Sequence, residues 1–442
     1  MNKSTLALAV AAGVLAQQAG GAGFIEDSKA TLGLRNFYIN TDNRSGAANP
    51  SRNEEWGQGF DLRFISGYTQ GAVGFGVDAI GLLGVRLDSG GGTNGAANGA
   101  AYGGTVFPSE SNGEAVDNFS SLGLTAKAKI SQTELKLGTL QPKLPVIVTN
   151  DGRLLPQTFQ GGQITSGEIK DLTLIGGQIE HVKGRNSSSN EQLSIGGASA
   201  RTANSNKFIY AGGDYKITKD LTAQYYYGNL EDFYKQHFLG LVHNWSIGPG
   251  VLKSDLRYFN SSDDGLNGNT ATYYSNGNYN STANGKGKVD NNLYSGLFLY
   301  TVAGHTFGGG YQVSNGSSDF PWLNQGDGSS AYLTTDSQIA KFARAGERTW
   351  QARYSYDFAK VGVPGLTAGV VYLHGDDIDT RSPASSGSSE WERDLTVGYV
   401  VPEGPLKNVG LMWKNATWRT NIPGQRDQDE NRLIVSYSIP LL

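Results

Sequence analysis

The chain has 442 residues, of which only 38% are hydrophobic, with 62 glycines, 22 tyrosines, 2 methionines and no cysteine. A soluble protein of that length normally carries more aliphatic core and a substantial helical fraction, and without cysteine it has neither a disulfide nor thiolate chemistry. The formal net charge of −4 leaves no electrostatic footprint for nucleic acid.

The first residues read as an export signal. Lys3 supplies the positive start, Leu6–Leu15 the short apolar run, and cleavage falls after Ala16 or Ala22, leaving one domain over 23–442. No other stretch approaches the roughly 20 apolar residues of a spanning helix. An exported chain that enters a membrane without such a helix is left with a closed barrel, because open strands cannot satisfy their backbone in lipid.

Thr31–Tyr38 begins a period-two pattern, with Leu32 and Leu34 on one face and Thr31, Gly33 and Arg35 on the other. Thr41–Arg52 is a polar loop. Trp56–Tyr68 then sets Phe60, Leu62 and Phe64 outward against Asp61 and Arg63. Val73–Leu87 sets Val77, Ala79, Leu83 and Val85 against Asp78, Gly84 and Arg86. Ser89–Asp117 is a Gly/Asn/Ala loop, too polar and irregular to pack. A hairpin around Ser131-Gln132 follows, where Leu122, Leu124, Ala126, Ala128 and Ile130 alternate with Lys127 and Lys129, and Leu135 and Leu137 with Glu134 and Lys136.

Gln141–Gln163 breaks the pattern with Pro142, Pro145, Pro156 and the turn Asn150-Asp151-Gly152-Arg153. Prolines exclude a central strand, and so long an aperiodic segment in a compact domain is usually functional. In a barrel it would fold into the lumen. Alternation resumes over Lys170–Lys183, Lys207–Lys216, Leu221–Leu230, Phe233–Ile247 and Val251–Asn260. It continues over Asn292–Thr301, Thr306–Val313, Arg348–Phe358, Leu366–Gly375, Glu390–Val400 and Val409–Thr420. Between strands, short turns such as Thr218-Lys219-Asp220 alternate with long Asn/Gly/Ser loops, notably Ser261–Asp290 and Ser314–Gly346. The last stretch, Glu430–Leu442, puts Leu433, Val435, Tyr437, Ile439 and Leu441 on one face. Arg432, Ser436 and Ser438 lie on the other, with Ile434 as the apolar exception. The predicted fold is therefore all-β, a transmembrane antiparallel barrel of about 18 strands with long extracellular loops and one loop folded into the lumen.

Alternation assigns ten basic residues to the inner wall: Arg35, Arg63, Arg86, Lys127, Lys129, Lys136, Arg257, Arg353, Lys414 and Arg432. Guanidinium groups suit a carboxylate because two parallel donors match its two oxygens. As a set these residues form a basic track, whereas any one of them can equally be a rim charge or the partner of a wall carboxylate such as Asp61, Asp78 or Asp255. Arg153 in the inserted loop is the leading constriction residue, and Asp151 with Asp290 could make a negative wall opposite; both acids can also simply cap turns. Tyr273, Tyr274 and Tyr279 fall in a long loop that could line the mouth. His181, His237, His243, His305 and His374 are scattered without metal-ligand spacing, and no catalytic, metal or cofactor site is expected.

Several stretches resemble the OprD-type substrate-specific porins of pseudomonads: GFIEDS at Gly23–Ser28, LRNFYIN at Leu34–Asn40 and SGYTQGAVGFGVDAIGLLG at Ser66–Gly84. GRLLPQTFQGGQ at Gly152–Gln163, FPWLNQGDG at Phe320–Gly328 and WQARYSYDFAKVGVPGL at Trp350–Leu366 are similar to the same family. The resemblance implies an 18-stranded outer-membrane channel, monomeric or a loose homotrimer. Its loops would narrow the lumen to an eyelet, and basic residues would guide a substrate carboxylate. Met412 stands where that family often carries a second basic residue, and Leu442 replaces its common terminal aromatic. The expected role is passive uptake of small carboxylates, aromatic or cyclic monocarboxylates such as benzoate-like acids, with basic amino acids as the alternative. An outer-membrane barrel enzyme would need a Ser/His pair that no spacing here supplies.

Overall fold

The structure, a computed structural model, describes residues 23–44, 51–89, 104–111, 113–196, 203–270, 273, 288–324, 330–380 and 386–442. The export signal with its cleavage sites after Ala16 or Ala22, and Tyr274 and Tyr279, lie outside the described residues.

Eighteen strands close into one cylinder. The first six are β1 (Lys29–Asn43), β2 (Arg52–Ile65), β3 (Gly74–Asp88), β4 (Asn118–Ile130), β5 (Thr133–Leu140) and β6 (Thr158–Ile169). Next come β7 (Leu172–Lys183), β8 (Phe208–Lys216), β9 (Leu221–Leu230), β10 (Tyr234–Ile247), β11 (Gly250–Asp263) and β12 (Asp290–Val302). The last are β13 (His305–Gly316), β14 (Arg348–Asp357), β15 (Leu366–Asp379), β16 (Ser386–Val400), β17 (Gly410–Thr420) and β18 (Gln428–Pro440). Each pairs antiparallel with the next. β18 returns to β1, setting Leu433 opposite Tyr38 and Tyr437 opposite Leu34. Closure leaves no edge, so every strand has a hydrogen-bonded neighbour on both sides.

Directly opposed residues share a face, so the register carries one inside and one outside around the whole wall. Arg35, Phe37 and Ile39 oppose Gly59, Gly57 and Glu55 on the inner face. The outer face shows Leu62, Leu83, Leu122, Leu135, Leu137, Leu433 and Val435, all exposed large apolar side chains. Moving one such side chain from water into hydrocarbon is worth about 1.5–3 kcal/mol. Outward aromatics cluster on adjacent strands: Trp350 lies 5.3 Å from Tyr372, and Tyr372 5.8 Å from Trp391, ring centre to ring centre. Such a row suits the lipid–water boundary. His237 and His305 sit on the same outer face, each 2.9 Å from a tyrosine hydroxyl, that of Tyr225 and of Tyr354 respectively.

The inserted loop is shorter than its sequence indicates. It ends at Gln157, and Thr158–Ile169 is a strand whose Gln163 and Ile164 oppose Lys136 and Leu135, with register shifts against β7 at Gln160/Gly161 and between Ser166 and Ile169. The prolines and the glycine pair Gly161-Gly162 hide its alternation. This extra strand brings the individually recognisable alternating stretches to eighteen.

Two further segments enter the lumen. The 104–117 part of the loop judged too polar to pack places Val106, Phe107 and Ala115 in a buried cluster with Phe37, Ile39, Leu82, Leu154 and Leu155. Ile434, the exception in the last strand, packs partly buried against that cluster. The described parts of the long loop, 317–324 and 330–347, also fold inward. Leu323-Asn324 pairs with Ser194-Ile195 of another loop, and Phe320, Leu333 and Ala343 join a buried cluster with the wall residues Phe238, Phe259 and Leu293.

Candidate functional site

The narrowing of the barrel is built where the 141–157 and 317–347 loops meet the inner face of β18 and β1. Arg432 is almost fully enclosed, and its three donor positions are all engaged. Nε donates to Glu430 Oε1 at 2.6 Å, Nη1 to the Gly152 carbonyl at 3.2 Å and Nη2 to the Gln338 carbonyl at 3.1 Å. Each loop thus hangs from the same guanidinium. Beside it Arg35 donates from Nη1 to Asp151 Oδ1 at 2.7 Å and to the Arg153 carbonyl at 2.6 Å. This pair stays open to the lumen, with side-chain exposures of 30% and 46% for Arg35 and Asp151.

A second set of bonds fixes the other loop from the wall. Glu392 on β16 accepts the backbone N–H groups of Ile339 at 2.8 Å and Ala340 at 2.7 Å, and Asp394 accepts that of Gln338 at 3.2 Å. Gln338 Nε2 donates to Glu430 at 2.9 Å. Carboxylates on β16 and, two strands along the same wall, Glu430 and Arg432 on β18 therefore hold the loop tip.

All ten basic residues expected inside lie on inward positions of the register, but they divide into two groups. Arg63, Lys127 and Arg257 are tied to wall acids: to Asp61 at 2.7 Å, Asp78 at 2.6 Å and Asp255 at 2.7 Å. Arg257 is further covered by the ring of Tyr332, whose centre is 3.9 Å from the guanidinium carbon. Arg353 donates to Gln351 Oε1 at 2.7 Å and to the Thr334 carbonyl, so it too supports the 317–347 loop. Arg86 pairs with Asp117 and the Ala115 carbonyl at the base of the 104–117 segment.

The second group keeps its charge toward the lumen. It comprises Arg35, Lys136 with a loose 3.4 Å pair to Glu134, Lys129 at 5.8 Å from the Tyr68 ring centre, and Lys414. Lys414 stands opposite Arg432 across the β17–β18 pair and has no hydrogen-bond or close ion-pair partner among the described residues.

The constriction residues divide similarly. Asp151 stands in the 141–157 loop and accepts from Arg35. Arg153 reaches the constriction through its carbonyl, while its guanidinium turns away to the Thr105 carbonyl at 2.5 Å. Asp290 is not on the inner face. It begins β12 at the long-loop end, on the outward parity, and accepts the Ser317 hydroxyl at 3.0 Å. Sequence reasoning missed Gln338, Glu392, Asp394 and Glu430. The inward parity of Glu392, Asp394 and Glu430 was readable, but their targets are backbone groups of a loop that carries no periodic signal.

A sealed cylinder with an apolar outer belt, short turns at one end, long loops at the other and a charged, loop-narrowed lumen defines an outer-membrane channel. A family model described as outer membrane porin, OprD family, matches residues 22–441. The porin-like protein GalP of Pseudomonas putida is 38% identical over 439 residues, covering 99% of this chain and 97% of GalP. Porin D of Pseudomonas aeruginosa is 35% identical over 470 residues, covering 100% and 99% of the two chains. Among solved structures, Pseudomonas aeruginosa OccK8 (OprE) is 63% identical with a TM-score of 0.86, covering 95% of this chain and 100% of that one. Pseudomonas aeruginosa OpdK, solved with vanillate, is 36% identical with a TM-score of 0.82, at 95% and 100% coverage. The chain belongs to the OprD family of bacterial outer-membrane porins.

Proposed function

We propose that this substrate-specific channel carries small carboxylate-bearing nutrients passively across the outer membrane, with aromatic or cyclic monocarboxylates of the benzoate type as its preferred solutes. The pore belongs to one chain, since β1 to β18 close without help from a neighbour. Diffusion makes no bond, so the lumen needs a succession of weak sites that attract a solute and release it. Arg35 carries the proposal. It is a partly exposed guanidinium on β1 where the 141–157 loop enters the lumen, and that loop gives it the Asp151 carboxylate and the Asp151 and Arg153 carbonyls. A passing carboxylate can take the place of Asp151 on Arg35, which lowers the cost of leaving water without creating a trap. Lys414 near Arg432, and Lys129 and Lys136 toward the short-turn end, would offer further stations. The vanillate in the OpdK structure is an aromatic carboxylate on a relative of this chain and supports the same reading.

The test is purified protein in planar bilayers, with benzoate, acetate and arginine as solutes at low salt. Benzoate should interrupt the ionic current at lower concentration than acetate, and proteoliposomes should take it up faster than arginine. Preferential uptake of arginine would transfer the channel to basic amino acids, and absence of any carboxylate effect would remove the proposal.

A further inference from the structure

We propose that the outer vestibule holds a docking site for planar carboxylates, which a solute occupies before it meets Arg35. The proposal rests on the carboxylate reading above and adds a station that the basic track does not include.

A cavity of about 550 Å³ lies inside the long-loop mouth, between the inner faces of β16–β18 and the inward-folded 317–347 loop. Trp322, Lys341, Arg344, Trp418 and Arg426 line it, and its floor is the Ile339–Ala340 backbone that Glu392 clamps. The next residue, Gln338, is the one bound to Arg432. The cavity therefore opens directly above the constriction.

Both tryptophans are held in place before any ligand arrives. Trp418 Nε1 donates to Glu390 at 2.8 Å, which fixes one indole and occupies that acid. Trp322 is gripped through its carbonyl by the Gly196 N–H at 2.7 Å. Its ring lies so close over Gly196 that a Cβ there would meet the indole Cε2 at 2.3 Å. Only glycine leaves room for the indole at that turn. The Trp322 Nε1–H is buried and has no acceptor among the described residues, an unusual state for a donor that costs free energy to hide.

The charges in the cavity favour an anion. Lys341 sits 5.7 Å from the Trp322 ring centre, and Arg344 makes no side-chain hydrogen bond or close ion pair among the described residues. The nearby acids are already engaged: Asp319 accepts the Ala345 N–H at 2.8 Å, Asp336 holds Lys341 at 3.0 Å, Glu390 takes the Trp418 indole and Glu347 the Arg344 N–H, although Glu347 and Glu390 also attract the Arg344 charge. An aromatic acid would lay its ring against indole and place its carboxylate toward the idle Trp322 donor and Arg344. A short aliphatic acid would gain the charge contact alone.

The test adds benzoate or acetate to the long-loop side of single channels and reads the concentration that half-blocks the current. Trp322→Ala should raise that concentration about tenfold for benzoate and much less for acetate, and Arg344→Gln should raise it for both. Trp322→Phe keeps a ring under the loop but removes the donor, and should fall between wild type and Trp322→Ala. It covers the case in which the alanine variant loosens the loop. Gly196→Ala, which displaces the indole without touching a charge, should act like Trp322→Ala. If Trp322→Phe, Trp322→Ala and Arg344→Gln all show the wild-type benzoate block, while Arg35→Ala changes it, the docking site is wrong and the channel reading stands. If wild type shows no carboxylate block from either side, both fall together.

Discussion

Arg432 donates to the backbone carbonyl of Gln338 at 3.1 Å, a contact across 94 residues of sequence that ties the last strand to the tip of an inner loop. The same guanidinium holds Gly152 of the other inner loop. Arg432 is thus less a station for solute than the fastening that sets how far apart the two loops stand.

Removing that fastening should be costly. The side chains of Arg432 and Glu430 are only 9% and 8% exposed, and deleting one partner of a buried pair typically costs about 3–5 kcal/mol through the stranded charge. Arg432→Ala should lower the unfolding midpoint in detergent and raise the noise and mean level of the single-channel current. Arg432→Ala with Glu430→Ala should recover part of the stability, since no charge is then left unpaired, while the current stays noisy because the loop carbonyls still lack their donor.

Arg35 should behave in the opposite way. Its pair with Asp151 is half exposed, and ion pairs of that kind contribute at most about 1 kcal/mol. Arg35→Ala should leave the unfolding midpoint within error of wild type while benzoate uptake by proteoliposomes falls several-fold. Asp151→Ala, which frees the guanidinium, should deepen benzoate block. Equal stability losses in Arg35→Ala and Arg432→Ala would show that the two arginines share one role.

The wall was legible because one rule, alternation against lipid, acts on every strand residue. Leu433, Val435 and Tyr437 declare their face from spacing alone, and Arg35 and Lys414 follow by parity. The strand Thr158–Ile169 was lost because Pro156 and Gly161-Gly162 blur its start. The interior was harder to read. Whether an inward arginine serves the solute or the scaffold depends on which loop backbone lies within hydrogen-bond reach, as with Arg432 and Gln338, and no periodicity encodes that distance. Ile434 hinted at it, because an apolar side chain on a polar face signals something apolar packed inside, here the buried cluster to which Leu154 and Leu155 belong.

The 317–347 loop should also respond to pH through Glu347. Burial, then the neighbouring Glu390, pushes the Glu347 carboxyl well above the usual carboxylate range. Its Oε2 accepts the Arg344 N–H at 2.9 Å, closing the loop back onto β14. A carboxyl raised in the folded state contributes stability that is complete below its ordinary value, about 4.3, and is lost as pH rises through the raised one. Current fluctuations should therefore grow from acid toward alkaline pH, and Glu347→Gln should flatten that dependence. A pH profile unchanged by Glu347→Gln would place the sensitive group elsewhere.

Gly57 tests whether the packed 104–117 segment matters to the constriction. It lies on the inner face of β2, opposite Phe37, where an added Cβ would meet Phe107 Cζ at 2.5 Å and Leu154 Cδ2 at 2.9 Å. Both neighbours are buried in the cluster that backs the Asn150–Arg153 turn, so neither can move aside freely. Gly57→Ala should cost about 1–3 kcal/mol as an overpacked core position, read as a lower unfolding midpoint. Because Leu154 adjoins Arg153, whose carbonyl Arg35 holds, the strain should also shift the loop into the lumen and reduce conductance. Phe107→Leu in the same chain makes room for the new methyl group and should restore both readings. If conductance stays low after that relief, the loss comes from the strand itself and not from the loop it supports.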